Sequence, residues 1–219
     1  MAQNLYDHHT MVKLGCNDCK GCDSCCRQMG DSIVLDPYDI WQLESNLHCN
    51  FAKLIQDFIE LHVVNGLILP NMKMQGSAEC CGFLKENGRC AIHAFRPGLC
   101  RLFPLGRNYE GDTLRYFLLQ DACPHTGNAK IKIKKWLDVP NYGKYEEFLI
   151  KWYGLRKKLQ LEIAKENAGE TGEVGKPQDS LAHLKEINLR MLHIFYEKPY
   201  EPEDFYGQFA ERMKEWDKL

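Results

Sequence analysis

Eleven cysteines, eight of them in two groups, constrain the folding of this 219-residue chain more than any other feature. The first group has the dense spacing C-x₂-C-x₂-C-C, and the second is spread over a longer stretch. The groups are Cys19, Cys22, Cys25 and Cys26, then Cys81, Cys90, Cys100 and Cys123. A thiolate at every third residue lets a short segment wrap around one ion or cluster, because zinc and iron–sulfur centres both take thiolate ligands. The pattern predicts a segment that folds around metal.

The adjacent pair Cys25-Cys26 is hard to explain by packing. Neighbouring side chains point in roughly opposite directions in an extended chain and about 100° apart in a helix. One thiolate of the pair can therefore face a first metal while the next faces a second. The pair predicts one or two metals.

The composition favours a folded, soluble protein, with 44% hydrophobic and 26% charged residues. A net charge of −2 gives no basic field, so we expect neither a nucleic-acid partner nor an anionic membrane surface. Residues 1–15 contain no apolar signal region, and no stretch approaches the ~18 apolar residues of a membrane span. We expect a cytoplasmic protein, where thiols are kept reduced and cysteine spacing indicates metal binding rather than disulfides.

The pattern along the chain predicts an α+β fold with three regions. Residues 1–15 are expected to be a loose lead-in. Residues 16–125 form the cysteine-cluster domain, which is loop-rich and organised by metal, with short hairpins and two helices. Residues 126–219 form a helical extension that packs on this domain, interrupted by a Gly-rich loop at 167–179.

Local signals place several elements in the cysteine-cluster domain. A strand is expected at 32–35, and Asp36-Pro37 predicts the start of a helix. A second helix is predicted from Phe51 through Val63 by apolar residues at helical spacing. Asn87-Gly88 predicts a hairpin that places Cys81 and Cys90 on facing strands. A further hairpin is expected at 105–119.

The helical extension shows longer periodic segments. An apolar stripe from Tyr145 to Ile163 predicts a long amphipathic helix. Ser180 is the expected N-cap of the next helix, and a last short helix is predicted at 203–217. Before them, Lys130 to Lys135 alternate with Ile and indicate a basic strand. A solvated edge guarded by lysines is the commoner explanation of such a strand than a surface for an acidic partner or nucleic acid.

The identity of the metal stays open between zinc and an iron–sulfur cluster. Structural zinc takes four ligands, usually as two short-spaced pairs. Cys19 and Cys22 could be one such pair, but the repeats that follow them are surplus to a single site. Clusters favour longer runs, and the spacing from Cys16 to Cys26 is close to the bacterial ferredoxin pattern, although Arg27 stands where that pattern has proline. Both metals select thiolates.

Several other residues are candidates around the site. Arg96 and Arg101 could keep thiolates deprotonated, and surface ion pairing is the alternative for both. Cys49 is interpreted as a small buried apolar residue, whereas Cys16 and Cys80 are ambiguous. Imidazoles also bind metal. Those that could replace a cysteine are His93 and His125, and the terminal pair His8-His9 is interpreted as an ordinary exposed pair.

The motifs resemble those of the YkgJ-type cysteine-cluster family, also known as the CxxCxxCC zinc- or iron-chelating domain. They are CxxCxxCCR from Cys19, LDPYDI from Leu35, CGFL from Cys81, CAIH from Cys90 and RPGLCRLFP from Arg96. The resemblance covers about 16–125 and implies chelation of zinc or iron. Its eight cysteines correspond to Cys19, Cys22, Cys25, Cys26, Cys81, Cys90, Cys100 and Cys123.

The resemblance leaves two functions in view. The first is a metal-binding protein that chelates zinc or iron through eight cysteines. The second is an iron–sulfur redox or methyl-transfer enzyme, because the cluster motif is similar to that of flagellin lysine methylases. Against radical chemistry with S-adenosylmethionine, the chain lacks a C-x₃-C-x₂-C spacing: Cys22-x₃-Cys26 is followed by Met29.

Overall fold

The structure is a computed structural model and describes residues 4–14, 22–120, 122–123, 129–167 and 177–218. Within these residues, seven α-helices and four two-stranded antiparallel sheets form an α+β arrangement, as the sequence predicts. The strands are β1 (Met11–Lys13), β2 (Ile59–Val64), β3 (Leu67–Met72), β4 (Met74–Gln75), β5 (Cys80–Cys81), β6 (Leu105–Glu110), β7 (Thr113–Leu118) and β8 (Lys130–Lys132). The helices are α1 (Pro37–Leu47), α2 (Phe51–Asp57), α3 (Gly98–Leu102), α4 (Ile133–Leu137), α5 (Tyr142–Asn167), α6 (Pro177–Leu192) and α7 (Phe205–Asp217).

Helix α1 begins where the sequence predicts. The Asp36 carboxylate accepts a hydrogen bond from the Asp39 backbone N–H, and the Asp39 carboxylate accepts one from the Asp36 N–H. This reciprocal capping box satisfies two N–H groups that the first turn of a helix leaves without partners. Pro37 fits the first helical position because it has no N–H to satisfy.

The predicted second helix is too long. Helix α2 ends at Asp57, and the residues that follow form strand β2, which pairs with β3 through Ile59↔Met72 to Val64↔Leu67. The turn between the strands has positive φ at Asn65 (50°) and Gly66 (84°), the conformation that an Asn-Gly pair favours in a two-residue hairpin. This Asn-Gly pair and the β-branched residues beside it outweigh the helical spacing.

Two other predicted strand arrangements also differ. Residues 32–35 form no strand but lie along β3, where the Leu35 N–H donates to the Pro70 carbonyl and the Met72 N–H donates to the Ile33 carbonyl. The Asn87-Gly88 turn is present, with positive φ at Gly88, but Cys81 pairs with Met74 across β4–β5 rather than with Cys90. Cys90 makes only an isolated bridge, to Leu84.

The predicted hairpin at 105–119 is confirmed as β6–β7, and the predicted long helix is α5. Helix α6 begins at Pro177, earlier than the cap predicted at Ser180, because proline suits the first turn of a helix. Most of the predicted Gly-rich loop lies outside the described residues. The last predicted helix is α7, which Asp204 caps by accepting from the Gly207 N–H.

The N-terminal residues are not a loose lead-in. Strand β1 pairs with β8 through Met11↔Lys132 to Lys13↔Lys130, which confirms the first half of the predicted basic strand. Its second half, from Ile133 to Lys135, instead belongs to helix α4. Val12 and Leu14 are buried, and Tyr6 forms a bridge to Tyr116 at the edge of β7. The segment before the cysteines is therefore paired with a strand that follows them.

One hydrophobic core joins the cysteine-cluster region to the C-terminal helices. The Tyr196 hydroxyl, in a single π-helical turn after α6, donates to the Leu35 carbonyl. The Tyr38 ring of α1 contacts the rings of Tyr145 in α5 and Phe205 in α7, with centroids 5.1 Å apart in each case. The helical extension thus supplies part of the core that supports the cysteine region.

None of the helices in the described ranges is long and apolar enough to span a lipid bilayer.

Replacing Gly66 by Ala should destabilise the fold by about 2–4 kcal/mol, because it combines a positive φ with a collision. A Cβ at this position would lie 2.8 Å from Cγ2 of Ile163 on α5. Gly111 is the matched control, since it also has a positive φ but no heavy atom within 4 Å of its Cβ position. Urea unfolding measures both. Equal losses for Gly66→Ala and Gly111→Ala would contradict the proposed packing of α5 on the turn.

Candidate metal centre

A pocket of about 760 Å³ collects six of the eight predicted cysteines. They are Cys22, Cys25, Cys26, Cys81, Cys90 and Cys100. The remaining wall is partly apolar and partly cationic. Its main members are Ile33, Met72, Met74, Ile92, Pro97, Arg89, His93 and Arg96. Cysteines that are up to 78 residues apart in the sequence therefore face one space.

The first cysteine group enters the pocket on a short turn of 3-10 helix, Ser24–Cys26. Cys25 and Cys26 both line the same pocket, so the expectation that they face two different metals is not supported. The Cys26 thiol hydrogen-bonds to Cys25 and lowers the pKa of Cys25 to about 7, with a further contribution from the positive charge of Arg96. The same hydrogen bond raises the pKa of Cys26, because that thiol must keep its proton to donate.

The side chains of the two adjacent cysteines of β5 point in opposite directions, as successive residues of a strand do. Cys81 lines the pocket, whereas the Cys80 sulfur accepts a hydrogen bond of 2.8 Å from Nη1 of Arg27. The Arg27 guanidinium also pairs with the Asp23 carboxylate at 2.7 Å. A backbone bond from the Gln28 N–H to the Glu79 carbonyl runs alongside. Arg27 therefore fastens the first cysteine group to the second, and Cys80 is its acceptor.

Backbone N–H groups point at two of the pocket thiols. The Phe83 N–H hydrogen-bonds to Cys81, and the Ile92 N–H hydrogen-bonds to Cys90. Burial raises the pKa of both thiols, and these hydrogen bonds oppose the rise because they favour the negatively charged sulfur. Each thiol thus has a donor two residues further along its own chain, which suits a thiolate ligand.

Cys100 is positioned by a buried polar contact between α1 and α3. The Asp39 carboxylate accepts a 2.7 Å hydrogen bond from the N–H of Gly98, the first residue of α3. A Cβ at position 98 would lie 2.7 Å from the Tyr145 hydroxyl and 3.2 Å from Nη2 of Arg107. Glycine is required here by this close approach. Burial raises the pKa of Cys100 strongly, and the neighbouring Cys81 adds to the rise.

The two arginines predicted to support thiolates have different places. Arg96 lines the pocket, its charge lowers the pKa of Cys25 and Cys90, and its Nη1 lies 2.9 Å from Nε2 of His93. Its Nε is buried without a hydrogen-bond partner among the described residues. Arg101 instead donates to the carbonyls of Leu137, Asp138 and Ala94, so its predicted role beside the thiolates is wrong.

The remaining predicted residues divide into three groups. His93 lines the pocket, as a candidate ligand should. Cys123 is described but does not contribute to the pocket wall, and Cys49 lies in a separate surface groove beside Glu44 and His48. Three further candidates, Cys16, Cys19 and His125, lie outside the described residues. In the terminal pair, His8 contacts Glu146 at 3.3 Å rather than a metal-binding group.

The chemistry of the pocket suits a thiophilic cation. The six cysteines of the pocket form no disulfide. Within the described ranges, no three Cys, His, Asp or Glu side chains lie close enough together to hold an ion. The thiols nevertheless lie partly buried beside one another. Burial raises the pKa of Cys81, Cys90 and Cys100, and the hydrogen bond to Cys25, with burial, raises that of Cys26. A metal cation would replace their protons and supply positive charge that Arg96 alone does not.

Fold and pocket together define an α+β domain organised by clustered cysteines. Residues 18–124, just under half of the chain, match the family model described as "CxxCxxCC: Putative zinc- or iron-chelating domain". This segment is therefore a domain of that family, in agreement with the resemblance of its motifs. Neither a curated protein nor a solved structure matches the chain.

Sequence reasoning misses several residues of this site. Met74 reaches the pocket because it pairs with Cys81, and only the register of β4–β5 reveals that. Met72 and Arg89 also line the wall. The link from Arg27 to Cys80 joins residues 53 positions apart, so no local signal predicts it.

Replacing Asp39 by Asn should cost about 1–3 kcal/mol in stability, because both of its oxygens accept backbone hydrogen bonds. An amide offers only one acceptor oxygen, so either Asp36 or Gly98 keeps a buried N–H without a partner. Asp204→Asn is the control: only one of its oxygens caps α7, and an amide keeps that bond. Urea unfolding should show the loss for Asp39→Asn alone, and equal effects would refute the two-acceptor role.

Proposed function

We propose that the protein binds zinc or iron through the cysteines of the pocket. The observation that carries the proposal is the convergence of six cysteines on one pocket from separate parts of the chain, namely the 22–26 turn, β5, the loop before His93, and α3. The ligands within the described residues would be Cys22, Cys25, Cys26, Cys81, Cys90 and Cys100. Cys19 and Cys123, from the family pattern, would complete the set.

The cost of burying these thiols supports a function for the cluster. Grouping ionisable thiols in a half-buried pocket makes four of the six harder to ionise, and packing alone gives no reason to collect them. The backbone N–H groups aimed at Cys81 and Cys90, and the Arg96 charge, instead favour ionised sulfur. Donors of this kind suit thiolates that a metal holds deprotonated.

One centre is favoured over two separate ones. Cys25 and Cys26 share one pocket and one hydrogen bond, so a metal bound by either would lie beside the other. Six cysteines at a single place, joined by the two from the family pattern, would suit a binuclear site or one cluster. Such a centre would cross-link the first and second cysteine groups, and its binding energy would contribute to folding of the loop-rich region around them.

The proposal places the protein in a reducing compartment such as the cytoplasm. The six pocket cysteines form no disulfide, and thiols meant for metal must stay reduced.

An iron–sulfur enzyme is the second candidate. The side chains of Ile33, Ile92 and Pro97 give the pocket an apolar side next to its cysteines. A cluster would supply one-electron chemistry there, and the apolar side would exclude water from a bound substrate.

Serine at Cys81, Cys90 or Cys100 should each lower the bound metal per chain, because a hydroxyl is a much poorer ligand for these metals than a thiolate. The matched controls are Cys49→Ser and Cys80→Ser, whose thiols lie outside the pocket wall. Metal content is measured by mass spectrometry of elements after anaerobic purification. Equal metal loss in the pocket and control variants would sink the proposed ligand set.

Anaerobically purified protein should also show which metal it holds. An iron–sulfur cluster absorbs visible light and loses that absorption on reduction with dithionite, whereas zinc bound to thiolates is colourless and is released to a chelator. Acid-labile sulfide should be present only in the first case. A colourless protein with stoichiometric zinc and no sulfide would rule out the iron–sulfur enzyme. A protein with neither metal would rule out both proposed functions.

A further inference from the structure

Strand β2 presents an unpaired edge with exposed apolar side chains. Leu61 is 43% and Val63 is 72% exposed, although both lie in a regular strand. An exposed strand edge with apolar side chains is a template for pairing with another strand, and proteins usually cover or charge such edges. We therefore expect the edge of β2 to be covered by a binding partner.

The register of β2–β3 shows which backbone groups face outward. A two-residue turn follows Val64, so Val64 and Leu67 form a hydrogen-bonded pair, and His62 and Glu60 continue this alternation. The N–H and carbonyl groups of Leu61 and Val63 then point away from β3. Within the described residues they have no hydrogen-bond partner.

The backbone groups of β3 that point away from β2 do have hydrogen-bond partners, unlike the corresponding groups of β2. The Ile68 N–H donates to Oδ1 of Asn188 on α6, and the Pro70 carbonyl accepts from the Leu35 N–H. Helices α5 and α6 pack on β3. The described residues thus cover one side of this hairpin and leave its β2 side uncovered.

The charges along β2 suit pairing with an identical strand. An antiparallel pair of two β2 strands must join outward-facing residues, so its two-fold axis can pass through Glu60, Leu61 or His62. An axis at Glu60 sets two carboxylates opposite each other, and an axis at His62 sets two imidazoles opposite each other. An axis at Leu61 sets each Glu60 opposite His62 of the second copy, which is the complementary arrangement.

We propose that two copies of this chain associate through their β2 strands in antiparallel order, with Leu61 on the two-fold axis. Leu61 then exchanges backbone hydrogen bonds with its counterpart, and Val63 packs beside Ile59 of the second copy. Within each chain, Glu60 and His62 already lie 3.0 Å apart, so the dimer joins two such pairs into one row of alternating carboxylates and imidazoles. The interface is isologous and closes as a dimer.

Sedimentation equilibrium of the full-length, anaerobically purified protein tests the proposal, with a phosphine reductant present to prevent intermolecular disulfides. The wild-type protein should form a dimer as its concentration rises. Leu61→Lys and Val63→Lys should each keep it monomeric, because a charged residue at a strand edge opposes pairing. Leu181→Lys, at a 68% exposed leucine on α6, is the matched control and should leave the dimer unchanged.

A charge exchange tests the register. His62→Glu should weaken dimerisation about tenfold, because it sets a carboxylate opposite Glu60 of the second copy at two places. Adding Glu60→His should restore the dimer, since the exchanged charges are again complementary. With an axis at His62, the double variant would still set two carboxylates opposite each other and stay weakened.

Several outcomes would overturn the proposal. They are a wild-type protein that stays monomeric at every concentration, edge variants that dimerise normally, or a Leu181→Lys variant that is equally monomeric. Failure of the double variant to recover would overturn the register centred on Leu61. Circular dichroism of each variant confirms folding, and the two independent edge positions keep the test decisive if one variant does not fold.

Discussion

The hydrogen bond from the Gly98 N–H to the buried Asp39 carboxylate holds the cysteine region together. Asp39 caps its own helix through Asp36 and, with its other oxygen, orients α3, which carries Cys100. Because α1 is also anchored in the aromatic core through Tyr38, the position of Cys100 is tied to the most rigid part of the molecule. The cysteine pocket is thus loop-rich on one side and fixed to the core on the other.

Local chemistry explains which parts of the fold the sequence predicts. The start of α1, the β6–β7 hairpin and α5 each follow from residues close together in the chain, such as the Asp36-Pro37 cap. Strand β2 is harder to predict from the sequence, because Ile59 and Val63 fit helical spacing as well as a strand. Only the Asn65-Gly66 turn distinguishes the strand from a helix. The pairing of β1 with β8 depends on residues more than a hundred positions apart, which no local pattern records.

The same distinction applies to the candidate site. Dense cysteine spacing predicts metal, and the pocket wall includes six of the predicted residues. Which member of an adjacent pair faces inward depends on backbone conformation: the strand at Cys80-Cys81 separates its two thiols, whereas the tight turn at Cys25-Cys26 keeps both on one side. Arg96 and Arg101 look alike in sequence, yet Arg96 lines the pocket whereas Arg101 donates hydrogen bonds to the carbonyls of Leu137 and Ala94.

The shared core has a consequence for the boundaries of the family domain. Leu35 and Tyr38 lie within residues 18–124, but the groups that bury them include Tyr145, Tyr196 and Phe205, which lie beyond that segment. An excised cysteine domain would expose the apolar face of α1 to water and loosen the very helix that orients Cys100. In this chain the segment with the family motif is shorter than the unit that can fold. The helices after that segment supply part of the hydrophobic core that the segment needs.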